Sequence, residues 1–97
     1  GEADLVVGFA TDWQIEAQHL VVLEDDRGYF PNYHAAPLVT ADLLQRHPEV
    51  GTALDRLGGQ IDDAAMRRLN YAVAVEKRSE ADVAHAFLTE RGLLVTR

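Results

Sequence analysis

Leu20-Val21-Val22-Leu23-Glu24-Asp25-Asp26 decides how the rest of this chain is read. Four apolar residues, two of them β-branched, run straight into three acids. A short uninterrupted apolar run of this kind fits a strand covered on both faces, as in an α/β sheet. The acids mark where the strand leaves the interior. On a strand, three consecutive carboxylates alternate between faces and converge poorly on one cation. No calcium-loop spacing follows them. The stretch therefore reads as a solvated strand end with a structural salt bridge, and no metal site is expected.

Immediately downstream, residues 27–37 form a loop punctuated by Gly28, Pro31, Asn32 and Pro37. It holds Tyr29, Phe30 and Tyr33, three of the seven aromatics in a chain with one Trp, three Tyr and three Phe. Phe9 and Trp13 lie upstream. A box of aromatic faces attracts a quaternary ammonium, which offers no hydrogen-bond donor and so must be held by π charge. The same rings can instead be packing plugs, and composition alone favours the plugs.

Upstream, Leu5-Val6-Val7-Gly8-Phe9 reads as a second short buried strand. Thr11-Asp12 then offers an N-cap for a turn or short helix through Gln18. From Thr40 the chain turns helical. Thr40 caps a helix through about Arg46, and Pro48 suits the first position of the next, with Val50, Ala53, Leu54 and Leu57 on its apolar face and Gly58-Gly59 as its end. Asp62 caps a third helix, with Ile61 and Met66 as a staple and Met66, Leu69 and Val73 facing inward. Ser79 caps a fourth, with Val83, Ala86 and Phe87 inward and Gly92 as its stop. Asn70 sits near the inward face of its helix, so its amide should bond to backbone or a neighbouring loop. Two strands cannot cover four amphipathic helices. The chain reads as α/β, with a helix-rich C-terminal half, and as one piece of a larger architecture.

The bulk numbers narrow the function. At 97 residues there is room for one small domain. A net charge of −7 opposes phosphate backbones, which argues against nucleic acid, and equally against an anionic membrane surface. The absence of cysteine removes disulfides, thiolate zinc sites and a cysteine nucleophile. His19, His34, His47 and His85 show no paired metal-ligand spacing. Ser79, the only serine, fits a helix cap better than a nucleophile. Gly8, Gly58 and Gly59 form no phosphate cradle. No enzyme activity, no catalytic residue and no cofactor are expected.

Three stretches carry a resemblance: Gly8-Phe9-Ala10-Thr11-Asp12, Leu20-Val21-Val22-Leu23-Glu24-Asp25-Asp26, and Tyr29-Phe30-Pro31-Asn32-Tyr33-His34-Ala35-Ala36-Pro37. Together the chain resembles the quaternary-amine (osmoprotectant) substrate-binding proteins of ABC importers, which bind glycine betaine, choline or carnitine. Members carry a G-Y-[ST]-T-D turn, an L-x-D-D strand end and an F-F-P-x-Y-x-A-x-P loop. Leu69-Asn70-Tyr71, Phe87-Leu88 and Gly92-Leu93-Leu94 also match.

The resemblance implies part of a type II periplasmic-binding-protein-like fold, two α/β lobes joined by a hinge of crossing strands. Residues 1–19 would be the end of the second lobe and the crossing, and residues 20–97 the C-terminal part of the first lobe, the rest lying N-terminal. It implies a small methylated-amine ligand held in an aromatic cage, with Phe9 and Tyr33 as cage aromatics and Thr11 and Asp12 in the polar turn beside the pocket. Phe9 stands where tyrosine is usual, which removes a hydroxyl and widens the ligand class to other methylated amines or a betaine such as ergothioneine. It further implies an ABC-transporter permease as partner and an extracytoplasmic location. Exposed apolar strands would also favour homo-oligomers of this fragment. The rival reading is a protein–protein interaction or structural domain with an aromatic docking loop.

Overall fold

A computed structural model describes residues 2–31 and 34–94. Among them the regular elements are five helices: α1 (Gln14–Ala17), α2 (Ala41–Arg46), α3 (Pro48–Asp55), α4 (Asp63–Ala74) and α5 (Glu80–Glu90). The chain divides into two compact units, one of residues 1–22 with 61–97 and one of residues 23–60.

The first unit is built on α4 and α5. Asp62 begins α4, its carboxylate accepting the Ala65 N–H at 2.7 Å, and Ser79 begins α5, its hydroxyl accepting the Asp82 N–H at 3.1 Å. Each bond satisfies one of the amides that a helix start leaves orphaned. The two helices pack through small and large partners. Ala65 and Ala72 on α4 are buried, as are Val83 and Phe87 on α5. Ala65 and Ala72 are seven apart, two turns on one face, and line the cleft between α4 and α5 together with Val83 and Phe87. Met66, Leu69 and Val73, expected to lead the inward face, are half-buried, and Ala86 is exposed. The buried positions of α4 are thus its alanines, and Leu69 and Ala86 line the cleft between the two helices beside them.

α5 stops as its glycine requires. Gly92 takes φ +67°, the Gly92 N–H bonds to the Thr89 carbonyl and the Leu93 N–H to the Leu88 carbonyl. That pair of bonds is the Schellman arrangement. α1 packs on α4 and closes the same way, with Leu20 N–H on the Ile15 carbonyl, but there the left-handed residue is His19, at φ +53°.

In the second unit, the Thr40 hydroxyl caps α2 through the Leu43 N–H at 3.1 Å, and Pro48 opens α3. Leu43, Val50, Leu54 and Leu57 are half-buried, whereas Ala53 is exposed. α3 ends at Asp55, and the turn after it places Gly59 at φ +73°.

The two expected strands are corrected here. Neither residues 5–9 nor residues 20–23 form a strand among the described residues. Their apolar side chains stand exposed, Val7 at 90% and Val21 at 84%. A strand exists only through a partner that takes its N–H and C=O groups, and no such partner occurs among the described residues. The expected Thr11-Asp12 cap is also revised: Trp13 is the N-cap of α1, without a side-chain cap bond. The Asp12 carboxylate is engaged elsewhere.

Candidate functional site

That engagement builds the site turn. The Asp12 Oδ2 accepts the Phe9 N–H at 2.9 Å, while the Asp12 N–H donates to the Phe9 carbonyl at 3.1 Å. Residues 9–12 thus form a tight turn closed by backbone and clamped by its own aspartate. Gly8 makes room for the clamp, since a Cβ there would lie 3.0 Å from Asp12 Oδ2. The Phe9 ring is left 66% exposed, on a backbone held at both ends of the turn. Thr11 and Asp12 are half-buried. The Thr11 carbonyl accepts a hydrogen bond from Asn70 Nδ2 at 2.8 Å, which ties the turn to α4. The expectation that the Asn70 amide bonds to a neighbouring loop is met.

Three of the four expected site residues, Phe9, Thr11 and Asp12, therefore share one turn. The fourth, Tyr33, lies outside the described residues.

The aromatic loop of the second unit has its own organiser. Asp25 accepts the Phe30 N–H at 2.8 Å and the Tyr29 N–H at 3.0 Å, and the Gly28 N–H bonds to the Asp25 carbonyl. These donors favour the ionised carboxylate, Phe30 most, and hold the Asp25 pKa below its ordinary value. Tyr29 and Phe30 meet edge to face, ring centroids 4.9 Å apart and planes at 87°, the arrangement that aromatic quadrupoles prefer. Both rings are exposed. The acid run thus works through backbone amides rather than through the salt bridge read from sequence. Sequence reasoning missed Asp25 as a loop organiser; an aspartate four and five residues before a Tyr-Phe pair, with a glycine between, was the available signal. No three-residue cluster suited to a metal occurs among the described residues.

A separate open cavity of about 380 Å³ lies where α1 meets α4, lined by Glu16, Ala17, His19, Arg68, Tyr71 and Glu76. None of the expected ligand residues lines it.

The family model for the substrate-binding domain of ABC-type glycine betaine transport systems matches residues 1–90. Relatives include a glycine-betaine-binding protein of Pseudomonas aeruginosa, 44% identical over 84 residues, which are 87% of this chain and 27% of the relative. An ergothioneine transport permease/ergothioneine binding protein of Helicobacter pylori is 42% identical over 85 residues, 88% of this chain and 15% of the relative. A carnitine transport binding protein of Listeria monocytogenes is 36% identical over 87 residues, 90% of this chain and 28% of the relative. The chain thus spans between about a seventh and just over a quarter of the length of these relatives.

Proposed function

Because the chain belongs to the substrate-binding family of ABC-type glycine betaine transport systems, we propose that it supplies part of the binding site for a small quaternary or methylated amine. The observation that carries this reading is the turn of residues 9–12. It presents the Phe9 ring on a backbone clamped by Asp12 and tied to α4. A backbone pre-set in this way has less entropy to lose when a cation docks on the ring it carries. Thr11 and Asp12 supply the polar groups beside it, and Tyr33 forms a second aromatic wall. The reaction is binding and release, with no covalent step.

The rest of the proposal concerns the whole protein. The chain forms the C-terminal part of a two-lobed, α/β periplasmic-binding-protein fold, with residues 1–19 at the end of the second lobe and the crossing and residues 20–97 in the first lobe. The exposed apolar stretches 5–9 and 20–23 support this, since strands from the remainder of such a fold would pair with them and bury them. Lobe closure then buries the ligand. The protein works outside the cytoplasm and hands its ligand to an ABC-transporter permease.

The relatives' printed ligands, glycine betaine, carnitine and ergothioneine, define the test panel. Calorimetric titration of the full-length protein with each should give saturable binding of at least one, weakened by Phe9→Ala. Binding of none, together with capture of a protein partner through Tyr29 and Phe30, favours the docking-loop reading instead.

A further inference from the structure

Asn70 and Thr11 are 59 positions apart, yet the Asn70 amide reaches the Thr11 carbonyl at 2.8 Å. Both residues are half-buried. The bond is made to backbone, so it constrains the path of the chain whatever side chain stands at position 11. Its acceptor lies inside the turn whose ends are already joined by the Asp12 N–H to the Phe9 carbonyl and by the Phe9 N–H to the Asp12 carboxylate. Those two bonds are local. They set the shape of the turn; before it residues 2–10 are all exposed, and after it the Ile15 N–H on the Asp12 carbonyl leads into the four-residue α1. The Asn70 bond anchors the turn to a twelve-residue helix capped by Asp62 and packed on α5.

We infer that Asn70 is a positioning residue of the ligand site: it never touches the ligand but fixes, through the Thr11 carbonyl, where the Phe9 ring is held. The inference rests on the proposal that Phe9 is a wall of the amine site. Asparagine suits the task because its N–H₂ donates to a carbonyl without carrying charge into a half-buried place. An aspartate of the same shape has no donor at neutral pH and turns an oxygen toward the Thr11 carbonyl. A leucine has the volume but no donor.

The test uses the full-length protein and two readouts. The first needs no ligand: amide hydrogen exchange at Phe9 and Asp12, the two N–H groups inside the turn, in wild type, Asn70→Asp and Asn70→Gln. The second is calorimetric affinity for glycine betaine, carnitine and ergothioneine, measured well below each variant's melting temperature, with Phe9→Ala and the double variant Asn70→Asp/Phe9→Ala beside them. Asn70→Asp should speed exchange at both amides and weaken binding by up to about tenfold, the range that one net hydrogen bond is worth. Asn70→Gln keeps a donor and should recover part of both losses. The two losses of Asn70→Asp and Phe9→Ala should fail to add, because one acts through the other. Unchanged exchange at the turn overturns the positioning role. So does faster exchange with unchanged affinity, or full additivity with Phe9→Ala, either of which leaves Asn70 as a stabilising residue only. Should Asn70→Asp not fold, Asn70→Gln decides alone, since displacement of the turn by one methylene must alter affinity. Wild type that binds none of the three amines ends the amine-site reading and this inference with it. That result is distinct from a failure confined to the Asn70 variants.

Discussion

The Asp25 carboxylate accepts the backbone N–H of Phe30 at 2.8 Å, five residues on, and so folds the aromatic loop back onto the end of the acid run. The Phe30 and Tyr29 amides hold the Asp25 pKa below 3.8, its ordinary value. A carboxylate depressed in the folded state contributes stability that is present above its unfolded pKa and lost as pH falls through the folded one. The Tyr29–Phe30 loop should therefore be intact at neutral pH and release only below about pH 4. The Phe30 amide chemical shift, followed by NMR from pH 6 to pH 2, reports this directly. Asp25→Ala should abolish the titration, and an unchanged curve in that variant would show that another group moves the Phe30 amide.

Under the proposed function, Tyr33 would be the second wall of the amine site. A cation–π wall in a desolvated cleft is worth up to about 2 kcal/mol, or about thirtyfold in affinity. Tyr33→Ala should show that loss in a calorimetric titration of the full-length protein, and Tyr33→Phe a smaller one, because the ring survives. Salt should matter little, since a buried site is screened far less than a surface pair. Equal affinities for wild type and Tyr33→Ala, with a lowered melting temperature, would mean that Tyr33 only props up its loop.

Phe87 is the largest buried side chain between α4 and α5, 9% exposed, and the Arg91 guanidinium lies 5.1 Å from its ring centroid. Phe87→Ala removes the largest of the buried side chains among the described residues. It should cost about 3 kcal/mol or more, a large share of what so small a chain can hold. Thermal melting by circular dichroism should show early loss of helix. A melting temperature within a degree or two of wild type would contradict the packing described for α4 and α5.

The 97-residue chain by itself should associate. Leu5, Val7, Val21 and Leu23 are 75%, 90%, 84% and 71% exposed. Apolar segments with unpaired backbone recruit other copies of themselves as strand partners. Sedimentation at rising concentration should show dimers or larger species, and Val7→Lys with Val21→Lys should reduce them. A monomer throughout would show that these segments are protected in solution.

The helix starts were legible because a cap is a local event. Thr40, Asp62 and Ser79 each satisfy an amide three residues ahead, and that pattern is visible in a dozen letters. Pro48 and Gly92 were legible for the same reason, since each carries its conformational preference wherever it stands. Asp12 was misread because two local uses compete for one carboxylate. It can cap the helix ahead or clamp the turn behind, and the glycine at position 8 decides for the turn by leaving space.

The family was also legible from the sequence, in the turn of residues 8–12 and the stretch from Leu20 to Pro37. The sequence by itself determined the helical segments from Thr40 onward, their starts, and the absence of cysteine, because these depend on residue type and near neighbours; the end of α3, at Asp55 rather than at Gly58-Gly59, was not among them. Only the tertiary structure decided that the partner of Asn70 is the Thr11 carbonyl, 59 positions away, and that alanines 65 and 72 rather than Met66 are the buried residues of α4. It also decided that residues 5–9 and 20–23 form no strand among the described residues. Helices close their hydrogen bonds within themselves, whereas strands and long-range anchors exist only when distant segments arrive to complete them.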